Sequence, residues 1–120
     1  MNYINTLSSS VYLQKTLKRK IHFSGVGVHN GRAVSMSIEP AEADTGIVFH
    51  RTDLDNNNII KAVIDNVIDS RLCTKIKNSS GIYVSTIEHL MAAFSALNID
   101  NAVVKINSSE LPALDGSSYE

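Results

Sequence analysis

The arrangement of helix and strand is clearest in residues 85–107, which read STIEHLMAAFSALNIDNAVVKIN. The first half places apolar residues at helical spacing, so that they form one stripe: Ile87, Leu90, Met91, Phe94 and Leu97. The second half alternates as a strand does, with three apolar residues on one face: Ala102, Val104 and Ile106. The pattern predicts a helix that packs its stripe against a sheet and is followed by a strand.

Both ends of this helix carry sequence signals. Ser85 and Glu88 are spaced as in a capping box, in which the serine oxygen and the glutamate side chain satisfy each other's backbone N–H groups. The helix is therefore expected to begin at Ser85, and Asn98 or Asp100 is expected to end it. On the side away from the apolar stripe, His89 is accompanied by small alanines, which would let another element or a substrate approach closely.

Upstream, the chain predicts a β-hairpin around the run GVGVHNG (residues 25–31). Residues 17–28 have a strand pattern, and the return strand from Ala33 to Glu39 turns three apolar residues inward: Val34, Met36 and Ile38. Asn30-Gly31 between two such runs favours a type I′ turn, which needs positive φ at both central residues. Because a strand rather than a helix follows, the glycines do not match a dinucleotide-binding loop.

The remaining segments add short strands. Strand patterns occupy residues 47–51, 71–77 and 82–84, while residues 59–68 are apolar on both faces and predict one buried strand or two short ones. Residues 1–14 are polar with scattered apolar positions and are expected to form a loose arm. The predicted fold class is α+β, with a mostly antiparallel or mixed sheet and one long helix packed on one face.

The composition excludes several classes of protein. The chain has 120 residues, 43% of them hydrophobic and 19% charged, which is typical of a globular domain. One cysteine cannot close an internal disulfide, which excludes a secreted disulfide scaffold. No apolar run approaches the roughly 18 residues that span a bilayer, and the N-terminus lacks the features of a secretory signal. We therefore expect a cytoplasmic protein with no transmembrane segment.

Charge is unevenly distributed along the chain. Five basic residues precede the first acidic one, Glu39, and from Glu39 onward twelve acidic residues outnumber six basic ones. The basic run KTLKRK (residues 15–20) could contact phosphates, and an RNA-binding domain is the resulting minor alternative. A solvated edge strand whose charges discourage pairing is the favoured explanation. Because the net charge is −1, nucleic acid is not expected as a partner.

Glu88 and His89, at the start of the predicted helix, are the best candidates for chemistry. Taken alone, Glu88 is the expected acid of a capping box, and a single surface histidine usually has no special role. Zinc needs three or four protein ligands, and no HExxH, HxH or CxxC pattern supplies them. A catalytic thiol would need a neighbouring base, so Cys73 is predicted to be a small core residue.

Six short motifs occur here in the order in which one known family has them. They are GVGVHNG (25–31), RTDL (51–54), LCT (72–74), STIEHLMAA (85–93), NIDN (98–101) and LDGS (114–117). From about Thr16 to Ser118 the chain resembles the UDP-3-O-acyl-N-acetylglucosamine deacetylases, the zinc hydrolases of the committed step of lipid A synthesis in Gram-negative bacteria.

The resemblance implies an active site between two similar α+β domains, of which this chain would be the first. His89 would be a ligand of Zn²⁺, and Glu88 would be the general base for the attacking water. Leu72, Cys73 and Thr74 would border the UDP-acyl-amino-sugar substrate. The other zinc ligands, in an HKxxD motif, and a second catalytic histidine belong to a C-terminal domain that this sequence does not match.

The last residues predict a second helix at its very beginning, because Ser117 and Glu120 again have capping-box spacing. Residues 15–120 are thus expected to form the N-terminal domain of the deacetylase, truncated at the start of that helix. Alone, the chain is expected to be inactive and to bind zinc weakly, since one histidine cannot form a tetrahedral site. The alternative is a non-catalytic binding or assembly module that retains half of the enzyme's fold, and a partner chain with an HKxxD segment would distinguish the two.

Overall fold

The computed structural model describes residues 4–8, 13–69 and 73–113. Its strands are β1 (Ile4–Ser8), β2 (Leu13–Leu17), β3 (Ile21–Val26), β4 (Ala33–Pro40), β5 (Ile47–Arg51), β6 (Ile59–Lys61), β7 (Val67–Asp69), β8 (Thr74–Lys77), β9 (Tyr83–Ser85) and β10 (Ala102–Ile106). The helix α1 spans Glu88–Ala96, and a single 3-10 turn spans Ile64–Asn66. The predicted α+β class is confirmed, whereas the capping box expected at residues 117–120 lies outside the described residues.

A five-stranded sheet in the order β3-β4-β10-β5-β6 forms the centre of the fold. Only β10 and β5 run parallel, so the sheet is mixed and mostly antiparallel, as predicted. The middle strand, β10, buries completely the three side chains expected to point inward: Ala102, Val104 and Ile106. The predicted inner face of β4 is also buried: Val34, Met36 and Ile38. Period-two alternation therefore located the core face of the sheet correctly.

The hairpin of β3 and β4 forms as predicted, but its turn is wider than a type I′ turn. The Gly27 N–H donates to the Arg32 carbonyl, and the Gly31 N–H donates to the Gly27 carbonyl. Gly31 has a φ of +67°, whereas Asn30 does not have the positive φ that a type I′ turn requires. The predicted turn type is wrong because the backbone of Asn30 is held by a distant carboxylate, described below.

Two smaller sheets flank this centre. The order β7-β8-β9 forms a three-stranded antiparallel sheet whose buried side chains, Ile76 and Val84, join the same hydrophobic cluster as the five-stranded sheet. Strands β1 and β2 form an antiparallel hairpin, where the sequence suggested a loose arm over residues 1–14. Gln14 is buried there and hydrogen-bonds to Asp44 and Asn101, so polar contacts to distant loops hold this segment.

The apolar segment 59–68 and the basic residues 18–20 both lie at the surface. Residues 59–68 form the two short strands β6 and β7, of which only Ile60 is fully buried, because β6 and β7 each lie at the edge of a sheet. Ile64, in the 3-10 turn between them, is 87% exposed. The basic residues 18–20 lie exposed in the turn between β2 and β3, where Lys20 approaches Glu39 to 3.7 Å.

The helix α1 begins at Glu88, three residues later than predicted. Ser85 ends β9 instead, and its hydroxyl donates to the carbonyl of Ser109, so no capping box forms. The buried members of the predicted stripe are Ile87, Leu90 and Phe94. No helix of the described residues has the length and apolar character needed to cross a bilayer.

The C-terminal end of α1 lies where the sequence predicts it. Asn98 adopts a left-handed φ of +57° and donates its N–H to the Ser95 carbonyl, while the Ile99 N–H donates to the Phe94 carbonyl. This pair of hydrogen bonds is a Schellman motif, which satisfies carbonyls that the helix leaves free. Leu97, assigned to the apolar stripe from its spacing, is 48% exposed because it lies at the C-cap.

Candidate active site

The start of α1 places Glu88 and His89 in different surroundings. Glu88 is half-buried, and among the described side chains its Oε1 atom is buried without a hydrogen-bond partner. His89 is exposed to solvent. Adjacent helical residues point about 100° apart, so the two side chains can serve different partners. Because a buried carboxylate oxygen without a donor is costly, Glu88 Oε1 marks a place where a further group is required.

Thr86, two residues before α1, fixes the junction between strand and helix. Its φ is +62°, a left-handed conformation that is a genuine outlier for a β-branched residue and costs about 1–3 kcal/mol. Two hydrogen bonds hold it in place. The Thr86 N–H donates to the Thr74 carbonyl at 2.9 Å, and the Thr86 hydroxyl donates to Glu110 Oε2 at 2.8 Å. The strained backbone therefore lies two residues before Glu88, the first of the two candidate residues.

Glu110 joins this junction to the β3–β4 turn. It is 2% exposed, and its Oε1 atom accepts hydrogen bonds from the backbone N–H groups of His29 and Asn30, each with an N–O distance of 3.0 Å. The ring Nδ1 of His29 lies 2.5 Å from Glu110 Oε2, the oxygen that also accepts the Thr86 hydroxyl. We refer to His29, Asn30, Thr86 and Glu110 as the Glu110 cluster.

Hydrogen bonding sets the charge of Glu110. Burial alone raises the pKa of this carboxyl, but the N–H of Asn30, the hydroxyl of Thr86 and the ring and N–H of His29 together outweigh burial and lower the pKa to about 2. Glu110 is therefore ionised at neutral pH. An ionised carboxylate only accepts hydrogen bonds, so Nδ1 of His29 must carry the proton.

Gly27 makes room for this carboxylate. A Cβ atom placed on Gly27 would lie 2.3 Å from Asn30 Oδ1 and 2.5 Å from Glu110 Oε1, both closer than a side-chain carbon can approach. Gly27 also pairs with Pro112 in an antiparallel bridge, and the Ala113 N–H donates to the Val26 carbonyl. Gly27 is thus required where the segment that carries Glu110 approaches the hairpin closely.

Thr74, the last residue of the LCT motif, lies next to the same junction. Thr74 begins β8, and its carbonyl accepts the N–H of Thr86, which lies two residues before the start of α1. Cys73 is buried, in agreement with the predicted small core residue. Leu72 lies outside the described residues.

The RTDL motif supports β9, the strand that leads into α1. Arg51 is buried and forms a double hydrogen bond with Asp53, at 3.0 Å from Nε and 2.8 Å from Nη2. Its third donor, Nη1, reaches the carbonyl of Tyr83 in β9 at 3.0 Å. The Arg51 side chain also lowers the pKa of Asp53 through these hydrogen bonds, against the effect of burial. This motif is a structural brace between β5 and β9.

The donor set for a metal is incomplete in the described part of the chain. His89 offers an exposed imidazole, and Glu88, the preceding residue, has an unpartnered buried oxygen. No group of three or more His, Cys, Asp or Glu side chains able to hold a metal ion occurs in residues 4–8, 13–69 and 73–113. The residues present fit one ligand and one base, and a tetrahedral site would need ligands from elsewhere.

Sequence reasoning missed Glu110 and Thr86. Glu110 lies in SSELP (108–112), in which a single acid between serines and an apolar run reads as a surface loop residue. His29 reads as part of a turn. The sequence shows only a single acid followed by the apolar residues Leu111 and Pro112. This pattern does not identify hydrogen-bond partners 81 and 24 positions away.

The chain was compared with known proteins. A family model described as UDP-3-O-acyl N-acetylglycosamine deacetylase matches residues 14–120. The chain is 50% identical over 104 residues to a UDP-3-O-acyl-N-acetylglucosamine deacetylase of Geotalea uraniireducens, with 87% of the chain and 34% of that relative covered. It is 46% identical over 104 residues to the corresponding protein of Pseudoalteromonas atlantica, covering 87% of the chain and 34% of the relative. For the Idiomarina loihiensis protein the identity is 45% over 106 residues, covering 88% and 35%.

The chain spans about a third of the length of the curated relatives it matches. Within that third, the family model extends over nearly the whole chain, including both candidate residues at the start of α1 and every member of the Glu110 cluster. The chain therefore belongs to the family of UDP-3-O-acyl-N-acetylglucosamine deacetylases.

Proposed function

We propose that this chain is the N-terminal part of a zinc-dependent amidohydrolase that acts in lipid A biosynthesis. The reaction would hydrolyse the 2-acetamido group of UDP-3-O-(3-hydroxyacyl)-N-acetylglucosamine and release acetate. The names of the relatives support this activity for the whole protein. The observation that carries it in this chain is the buried, unpartnered Oε1 of Glu88 beside the exposed His89.

In this proposal, Glu88 and His89 have separate roles. His89 would supply one nitrogen ligand to Zn²⁺, which when bound polarises the amide carbonyl and makes water more acidic. Glu88 would accept the proton of the attacking water at its unpartnered oxygen, and general bases of this kind contribute about 10²–10⁴-fold to the rate. The helical angle between adjacent residues allows one side chain to hold the metal while the other meets the water.

Substrate contacts are proposed for Leu72, Cys73 and Thr74. Their support is the hydrogen bond from Thr86 to the Thr74 carbonyl, which ties this segment to the strand–helix junction. The backbone at Thr74 would then border the bound acyl-amino-sugar. A cytoplasmic location, suggested by the single cysteine, is part of the same proposal.

The missing ligands are proposed to come from a C-terminal domain with an HKxxD segment, and residues 15–120 would be the first domain. The purified 120-residue chain is accordingly expected to show no deacetylation and to retain only substoichiometric zinc after desalting. Deacetylation by the chain alone that is abolished by Glu88→Ala or His89→Ala would contradict this division of the site.

The proposal is tested by joining the chain, after Glu120, to the remaining part of the Geotalea uraniireducens relative. We expect this fusion to bind zinc and to release acetate from the UDP-linked substrate. Glu88→Gln should lower kcat by at least about 100-fold with zinc retained, because only the base is lost. His89→Ala should lower both zinc content and kcat, because a ligand is lost.

Matched controls come from residues outside the junction. Glu39→Gln removes a surface carboxylate of β4, and His22→Ala removes a histidine exposed on β3. Both fusions should keep their zinc and activity. A folded fusion that binds zinc but does not release acetate would overturn the proposal and favour a non-catalytic binding or assembly module. An active fusion that loses no activity with Glu88→Gln would overturn the role of Glu88 as the general base.

A further inference from the structure

Glu110 is a buried charge whose hydrogen bonds reach two separate segments. Placing an ionised carboxylate at 2% exposure is unfavourable unless donors compensate for the lost water. Here the donors are the N–H groups of His29 and Asn30, the ring of His29 and the Thr86 hydroxyl. Within the described residues, the turn of the β3–β4 hairpin and the start of the β9–α1 junction therefore share one acceptor.

Thr86 is the residue through which this acceptor can act on the site. Its left-handed φ of +62° is maintained by its N–H, which donates to the Thr74 carbonyl, and by its hydroxyl, which donates to Glu110 and lies 3.5 Å from Nδ1 of His29. Ile87 and Leu90 anchor the helix in the core. A change at Thr86 would therefore alter the direction in which the chain enters α1 at Glu88.

Gly27 provides a second, independent observation. The turn carries glycine at the one position where a Cβ would displace Glu110 Oε1. Gly27 does not have a positive φ, so its backbone conformation does not require glycine. The close approach of the Asn30 side chain and of the Glu110 carboxylate, which binds the Asn30 N–H, explains the glycine.

We propose that Glu110 is a positioning residue of the active site, whose buried carboxylate ties the His29–Asn30 turn to Thr86 and thereby sets the orientation of Glu88 and His89. The inference rests on the proposed function in one respect, namely that Glu88 and His89 are the reacting pair. Glu110 itself is held away from solvent and acts through Thr86.

The first experiment uses the full 120-residue chain and requires no activity. Amide hydrogen exchange is measured by NMR for the wild type, Glu110→Gln and the control Glu39→Gln. In Glu110→Gln, the amides of Thr86 and Met91 should exchange at least about tenfold faster than in the wild type. They should do so by local opening, with an opening free energy below that of the β10 amides, which report only the loss of global stability. Glu39→Gln should leave all of these amides unchanged.

A second variant covers the case in which Glu110→Gln unfolds. Thr86→Val keeps the branched shape and removes only the hydroxyl that Glu110 accepts. It should accelerate exchange at Thr86 and Met91 and should shift the amide resonances of His29 and Asn30, since they share the carboxylate. Unchanged His29 and Asn30 resonances, or acceleration no greater than in β10, would overturn the inference.

The second experiment uses the active fusion described above. Glu110→Gln should lower kcat by about tenfold or more, with KM within about threefold, because a misdirected base affects the reaction more than substrate binding. Full kcat despite faster exchange at Thr86 would overturn the positioning role. A fusion without any deacetylase activity would contradict the proposed function and leave the exchange result to decide whether Glu110 orients the junction.

Discussion

At the scale of single residues, the two candidate side chains at the start of α1 differ in what surrounds them. His89 is exposed to solvent, so it is accessible to a ligand. Glu88 has one oxygen removed from water with no protein donor in the described ranges. An unpartnered oxygen of this kind is destabilising until a water, metal or substrate group completes it, and such residues concentrate at functional sites.

Glu110 predicts a specific dependence of stability on pH. Its pKa of about 2 in the folded chain is below the ordinary value of 4.5, so the unfolded chain binds the proton more readily. The stabilisation is therefore complete above about pH 5 and is lost as the pH falls through about 2, and its full size is about 3 kcal/mol. Urea unfolding of the wild type and of Glu110→Gln between pH 2 and 5 measures it. The variant should show a flatter dependence.

Thr86→Val gives an intermediate case for this measurement. It removes one of the donors that lower the pKa of Glu110 and leaves those of His29 and Asn30. Its pH dependence should lie between those of the wild type and Glu110→Gln. Parallel curves of unfolding free energy against pH for all three chains would show that these hydrogen bonds do not lower the pKa of Glu110.

At the scale of elements, α1 is held at both ends by residues with left-handed backbone. Thr86 precedes it and Asn98 follows it. The two ends differ in their cost, because asparagine tolerates this conformation and a β-branched residue does not. The C-terminal end could therefore be predicted from the type of residue, whereas the N-terminal end depends on hydrogen bonds supplied by β8 and Glu110.

The packing of α1 predicts unequal effects of two identical substitutions. Leu90 is 4% exposed and Leu97 is 48% exposed. Leu90→Ala should lower the free energy of unfolding by about 2–5 kcal/mol, because it leaves a cavity between the helix and the sheet. Leu97→Ala should change it by less than about 1 kcal/mol. Urea denaturation at neutral pH compares them, and equal losses would contradict the assignment of the buried face.

At the scale of the whole molecule, β10 is the central strand of the main sheet, paired on both sides and fully packed on its inner face. It lies between β4 and β5 in the middle of the sheet and has three fully buried side chains. β7 lies at the edge of the small sheet, where Val67 and Ile68 are exposed. The two strands should therefore differ in how readily they open.

Hydrogen exchange tests this difference. Amides of β10 should exchange only through global unfolding, so their rates should follow the free energy of unfolding measured with urea. Amides of β7 should exchange through local opening and should be at least about 100-fold less protected. Protection in β7 equal to that in β10 would show that the two sheets unfold as one unit.

The sequence predicted those features that depend on neighbouring positions. The inner faces of β4 and β10 followed from alternation, and the buried Leu90 and Phe94 followed from helical spacing. The predictions were wrong where a distant contact prevails. Ser85 has the spacing of a capping residue, yet it pairs with residues 109–111 and so ends a strand. Asn30-Gly31 has the composition of a type I′ turn, yet Glu110 holds its backbone in another conformation.

The amino-acid sequence by itself determined the α+β class, the family and the two candidate residues, Glu88 and His89. These depend on periodicity and on short motifs, which are local properties of the chain. Only the tertiary structure revealed the unpartnered oxygen of Glu88, the strained Thr86 and the carboxylate of Glu110 that joins it to His29. The physical reason is that a hydrogen bond between residues 81 positions apart depends on how the sheets pack, and no local pattern encodes that distance.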